Sequence, residues 1–187
     1  MPKLAISIGL WIALVNPAPA FAVLDIEEDP SCVDVNYAYV ATRSSKFYSE
    51  KLYDFRSDGS VKQIAEMRID DETIYHRELR KAKWRRFDRT EWSTLDRFGP
   101  RFSSCEFLGE FKERGKMVKR YKATWHLFPY AAYSDIWILS AGKRLLKLKR
   151  RSVDSNQFKF GTTSGTVLEL FDYDPTTGVA PNGPFED

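Results

Sequence analysis

Two cysteines, two histidines and small groups of serines and acids are the side chains of this 187-residue chain best suited to chemistry. Cys32 and Cys105 stand 73 residues apart. No Cys-x-x-Cys occurs, so a thioredoxin-type redox site is excluded. Two distant thiols are too few for zinc, and no metal is expected. In an oxidising compartment an even pair joins, and closing so long a loop would stabilise by roughly 3–4.5 kcal/mol through the entropy of the unfolded chain. His76 lies between Tyr75 and Arg77, and His126 follows Trp125. Neither has a His, Cys or Asp at ligand spacing, so each reads as a hydrogen-bonded or exposed ring. Ser44, Ser45, Ser103, Ser104 and Ser164 lack the Gly-x-Ser-x-Gly elbow of a nucleophile. Thr162-Thr163-Ser164-Gly165 lacks the lysine of a phosphate loop. Asp70-Asp71-Glu72 and the Asp172/Asp174 pair do not match the twelve-residue calcium loop and read as turn acids. No catalytic residue and no cofactor is expected, and the chain reads as non-enzymatic.

The N-terminus sets the compartment. Lys3 is followed by an uncharged apolar run from Leu4 to Val15, a break at Asn16-Pro17, and small residues at Ala20 and Ala22. This is the pattern of a secretory signal peptide over residues 1–22, with cleavage after Ala22. The run is short for a bilayer span, and no stop-transfer segment follows, so no transmembrane segment is expected. The expected product is a soluble periplasmic or secreted domain over 23–174, with a loose Pro- and Gly-containing tail over 175–187. Without Lys3, 28 basic and 26 acidic residues leave a net charge of +2. That balance argues against a dedicated nucleic-acid binder. Basic stretches at 77–89, 112–122 and 143–151 read first as solvated faces and hairpin tips. Their sharper reading is an anionic partner, such as lipid headgroups or an envelope polymer.

The spacing of apolar residues supplies the elements. Cys32 to Thr42 predicts one short helix, with Val33, Tyr37 and Val40 on its apolar face. A strand is the competing reading, because Val33, Val35, Tyr37 and Tyr39 also alternate. From Lys46 the period is two. Ser57-Asp58-Gly59-Ser60 is a hairpin turn, and Lys46 to Phe87 reads as an antiparallel meander. Arg89 to Phe98 predicts a second short helix, ended by Gly99-Pro100. Strands are expected at 105–111, 117–127, 133–140, 144–153, 158–160 and 166–173, with Pro129 at an edge or loop. The fold class is α+β: a strongly curved antiparallel sheet of seven to nine strands, a half-barrel, with one or two short helices.

A series of strand and turn marks carries a resemblance. Ile69-Asp70-Asp71-Glu72-Thr73-Ile74-Tyr75 is followed by Lys83-Trp84-Arg85-Arg86, Cys105, Leu108-Gly109-Glu110 and Lys119-Arg120-Tyr121. Asp135-Ile136-Trp137-Ile138 and Gly142 complete it. From about Cys32 to Tyr173 the chain resembles small secreted bacterial proteins of unassigned activity. Their architecture is similar to the periplasmic lipoprotein-carrier (LolA-like) half-barrel. The resemblance implies an antiparallel sheet curled around helices.

Such a sheet would bury the abundant aromatics and could share its hollow with an apolar ligand. Trp84, Trp125 and Trp137 are the candidate lining, and Arg85 and Arg86 the candidate rim cations for an anionic headgroup. The expected function is non-enzymatic binding of a lipid or other amphipathic ligand. The alternatives are an envelope interaction module with a filled core, favoured by large interdigitated aromatics, and a hydrolase, favoured by a cleft where a histidine meets a serine and a carboxylate.

Overall fold

A computed structural model describes residues 28–90, 101–127, 129–154 and 159–186. The leader over 1–22 and the expected helix beyond Thr90 lie outside the described residues. Pro30–Cys32 forms one 3-10 turn, capped by the Asp29 carboxylate, which accepts from the Ser31 N–H. It runs directly into helix α1, Val33–Arg43. Among the described residues nine strands follow: β1 Tyr48–Phe55, β2 Val61–Ile69, β3 Thr73–Glu78, β4 Arg85–Asp88, β5 Phe102–Glu113, β6 Lys116–Leu127, β7 Tyr130–Leu139, β8 Leu145–Ser152 and β9 Thr166–Asp172.

They form one antiparallel sheet in the order β4-β3-β2-β1-β9-β8-β7-β6-β5. Two meanders, β1 to β4 and β5 to β9, are joined where β9 pairs with β1. β4 and β5 are the outer strands of an open sheet. The nine strands and the helix bear out the α+β half-barrel. The turns follow local chemistry. Gly59 takes the left-handed conformation, φ 81°, that the Asp-Gly turn requires, and Asp58 accepts from the Ser60 N–H. Arg114 and Gly115, both at positive φ, close the β5–β6 hairpin as a primed two-residue turn demands.

Alternation divides the sheet into two faces. The inner face carries α1 and a cluster that includes Tyr48, Met67, Ile69, Trp125, Ile136 and Phe171. The outer face carries a smaller cluster, Val118, Trp137 and Leu139, with Leu146 against it.

The helix forms where expected but is rotated. Val33, Tyr37 and Val40 are 52%, 59% and 60% exposed, whereas Val35, Asn36, Ala38 and Thr42 are buried. Polar anchors set the rotation. The Asn36 Oδ1 accepts from the backbone N–H groups of Arg101 and Phe102, at 3.1 and 3.0 Å. Thr42 Oγ1 accepts from the Leu145 N–H at 2.8 Å and pairs with the Tyr173 hydroxyl. Those backbone groups would otherwise be buried without partners, at a cost of about 1–3 kcal/mol each. That cost exceeds the gain from burying one more valine.

The 175–186 segment, expected to be loose, makes specific contacts with the sheet. Trp84 pairs with Phe185: the Trp84 N–H donates to Pro184 O and the Glu186 N–H to Trp84 O. Gly178 packs so closely on Tyr48 and Ile69 that a Cβ would lie 2.6 Å from a carbonyl oxygen. The strand expected at 158–160 is not one in its described part. Lys159 and Phe160 lie in a turn, Phe160 at φ 51°.

Cys32 and Cys105 are joined, Cα to Cα 5.1 Å. The bridge pins the start of α1 to β5. Asp29 and Ser31 strengthen the same corner by accepting from the N–H groups of Ser104 and Cys105. Reducing the disulfide, or replacing both cysteines by serine, should lower unfolding free energy by roughly 3–4.5 kcal/mol, read as a reduced midpoint in urea.

Candidate functional site

The outer face of β6 to β9 is built from two cross-strand rows. Thr124 pairs with Tyr133, Tyr133 with Arg151 and Arg151 with Thr166; alongside, Lys122 pairs with Asp135, Asp135 with Lys149 and Lys149 with Leu168. The alternation of Lys147-Leu148-Lys149-Arg150-Arg151 sends Lys149 and Arg151 outward and Leu148 and Arg150 inward. The two rows form most of the floor of a groove of about 750 Å³. Phe55, Arg56 and Ser57, where β1 turns towards β2, also line it, as do Ser104 on β5 and Ser164 before β9.

The groove is electrostatically lopsided. Among the described residues Lys122, Lys149 and Arg151 form no ion pair, whereas the one acid in the lining, Asp135, is held by Arg120 at 3.3 Å. Arg56 lies 4.0 Å from the Asp54 carboxylate. Two of the unpaired cations rest on rings instead. Lys149 Nζ is 3.8 Å from the centre of the Phe55 ring, and the Arg151 guanidinium 5.5 Å from that of Tyr133. Cation–π contact holds the side chains in place without cancelling their charge. The groove therefore offers an excess of positive charge beside aromatic surface.

Asp54 braces one end of the groove from the inner side. Its carboxylate accepts from the N–H and hydroxyl of Thr163, at 3.1 and 2.5 Å, and from those of Ser164, at 3.3 and 2.7 Å. Burial pushes the Asp54 carboxyl up, but these four donors together outweigh it and hold the group at about 2.

The residues singled out from the sequence fall in several places. Trp84 is buried at the β3–β4 edge, with the Arg68 and Arg77 guanidinium groups over its ring. Arg85 pairs with Glu186 at 2.5 Å, and Arg86 is exposed on the opposite side of β4. Trp125 is buried in the inner core, against Phe160 and beneath Arg150. Trp137 lies on the outer face between Arg120 and Lys147, 4.9 and 3.9 Å from its ring centre. Trp84, Arg85 and Arg86 are near one another; Trp125 and Trp137 are apart from them and on opposite faces. The groove cations come from basic stretches visible in the sequence, and their outward alternation on β8 was the available signal.

His126 meets a serine: its Nε2 is 2.7 Å from Ser103 Oγ. No Asp or Glu bonds the ring among the described residues, and Ser103 lies within β5 rather than at an exposed turn. Among the described residues the pair therefore has no orienting carboxylate, the third member of a serine hydrolase triad. His76 lies on β3, and burial lowers its proton affinity. Among the described residues no three His, Cys, Asp or Glu side chains gather to hold a metal, and no helix is long and apolar enough to cross a membrane.

No known family profile matches the chain, and no curated protein matches it. Among solved structures it is similar to the lipoprotein LppX of Mycobacterium tuberculosis, at 13% identity and a TM-score of 0.45, over 78% of this chain and 95% of that one. The likeness lies in the fold, and at this level nothing about ligand or activity carries over.

Replacing Asp54 by Asn should loosen the Thr163–Ser164 segment, seen as faster amide exchange there. The folded-state affinity of Asp54 for a proton is below its ordinary value of 3.8. Its contribution to stability is therefore present above about pH 4 and lost as pH falls towards about 2. D54N should be less stable at neutral pH and should lose less stability across that acid window, as followed by unfolding midpoints.

Proposed function

We propose that the protein is an exported, non-catalytic binder of an amphipathic molecule with an anionic headgroup, and that the outer groove is its site. The observation carrying this reading is the set Lys122, Lys149 and Arg151, three cations that form no ion pair among the described residues, beside Phe55 and Tyr133. The headgroup lies against the cations, and an apolar portion covers the aromatic rings. The hydroxyl-bearing residues Thr124, Ser164 and Thr166 line the same space and suit an oxygen-rich headgroup. Binding is passive. Apolar area leaves water while long-range attraction steers the anion to the groove. A phospholipid of the envelope fits this chemistry. The Cys32–Cys105 bridge suits an oxidising compartment, and the leader-like N-terminus supports export to the periplasm.

The packed inner face favours a second reading, an envelope interaction module that captures no small ligand. The two readings separate in a titration with short-chain phosphatidylglycerol against phosphatidylcholine, followed by calorimetry or native mass spectrometry. The groove reading expects preference for the glycerol headgroup. With about 1 kcal/mol for each cation, K149Q/R151Q should weaken binding roughly thirtyfold without changing the unfolding midpoint much. Equal binding of both lipids, or unchanged affinity in the double variant, would overturn it.

A further inference from the structure

Behind the groove, on the inner face, lie two buried carboxyl groups. Glu50 on β1 is 1% exposed and Glu169 on β9 is fully buried. They are diagonal neighbours, since Glu50 pairs with Phe171 and Leu52 with Glu169. Each has its own arginine. Arg43 Nη1 donates to Glu50 Oε2 at 3.1 Å. Arg150 Nε donates to Glu169 Oε1 at 2.8 Å, and Arg150 Nη2 reaches the same oxygen. The other oxygen, Glu169 Oε2, is buried and receives no donor from any N–H or hydroxyl among the described residues. Buried acceptors are almost always partnered. The neighbouring acid is Glu50, whose carboxyl can donate to this oxygen only when protonated.

We propose that Glu50 and Glu169 hold one proton between them, and that releasing it weakens the binding of an anionic headgroup in the outer groove. This rests on the groove reading above. The proton resides on Glu50, bonds to Glu169 Oε2 and leaves to solvent as pH rises. The charged and titratable groups around the pair come from every side. Arg43 comes from α1, Tyr48 from β1, Arg150 from β8, and Tyr173 from just past β9, with Arg89 and Arg144 further out. His76 lies on β3 opposite Met67, the β2 partner of Glu50. Burial pushes the Glu50 carboxyl up to about 7, against the pull of Arg43.

The link to the groove is the strand itself. Arg150, which pairs with Glu169, stands between Lys149 and Arg151, which point out into the groove. Proton loss adds one negative charge behind those cations. By reciprocity, a bound anion raises the pair's affinity for its proton.

The test uses the full exported chain and short-chain phosphatidylglycerol, whose phosphodiester keeps its charge. Between about pH 5.5 and about pH 8.5 affinity should fall roughly threefold, the size of one charge acting at about 10 Å through a partly aqueous medium. Glu50→Gln, whose amide can donate to Glu169 Oε2 permanently, should abolish the slope and hold the acidic-side affinity. His76→Asn should keep the wild-type slope. A wild-type slope retained in E50Q, or no slope in wild type, would overturn the coupling. A separate arm reads the proton without ligand. Because the folded protein holds the proton more tightly than the unfolded chain, wild-type stability should fall as pH rises through about 7, and E50Q should flatten that fall. Equal pH profiles in this arm would overturn the shared proton. Absence of lipid binding at every pH would overturn the groove reading and the coupling with it, while the stability arm still decides the proton. If E50Q does not fold, Glu169→Gln takes its place, with the amide donating to Glu50.

Discussion

The chain Arg43–Glu50–Glu169–Arg150 ties together the elements on which the rest of the structure depends. It runs from α1 to β1, across the β1–β9 seam and on to β8. That seam is where the two meanders meet, and it is formed late in the sequence, by strands more than a hundred residues apart. Burying two carboxyl groups and part-burying their arginines there is costly, and such groups are retained only when their partners are well placed. Arg150 is further enclosed by the rings of Trp125 and Phe160, 4.6 and 4.7 Å from its guanidinium. An arginine suits this position because its planar group can stack on aromatics while donating to one carboxylate oxygen from two nitrogens. The seam thus has a directional, hydrogen-bonded centre where an apolar contact would allow sliding.

The helix is placed by the same logic at its other end. The disulfide fixes where α1 begins, Asn36 and Thr42 fix how it is turned, and Arg43 delivers its last turn to Glu50. Arg89 adds a clamp, donating to the carbonyls of Arg43, Ser45 and Asp70 where the helix gives way to β1. An orphaned helix C-terminus leaves carbonyls in need of donors, and one guanidinium meets several of them. Most of these contacts join residues far apart in the chain; Arg43 and Glu50 are the near neighbours among them.

That separation decides what could be read beforehand. Most of the strands, the hairpin at Gly59 and the Cys32–Cys105 disulfide were legible, because alternation, turn chemistry and cysteine parity are local or countable. The rotation of α1 was not. Val33, Tyr37 and Val40 form a good apolar stripe, and only the distant backbone donors of Arg101, Phe102 and Leu145 reverse it. Glu50 and Glu169 gave no signal either, since each sits alone among alternating residues and becomes half of a pair only through the β1–β9 register. The groove was half visible. The basic stretch ending at Arg151 was plain, but its freedom from carboxylate partners depends on Asp135 being engaged by Arg120.

The position of the groove follows from how the inner face is used. An antiparallel sheet with one face on a core has its other face open to water. Here α1, Trp125 and the carboxyl–arginine chain occupy the inner face. On the outer face the small cluster of Val118, Trp137, Leu139 and Leu146 lies towards the β7–β8 turn, while Tyr133, Lys149 and Arg151 lie further along the same strands. β8 therefore does two jobs with one alternating sequence. Leu148 and Arg150 secure the core, and Lys149 and Arg151 give the open surface its charge. A substitution that slipped this strand by a single residue would turn Lys149 and Arg151 into the core and Leu148 and Arg150 out of it, so the register that stabilises the fold also decides which side chains line the groove.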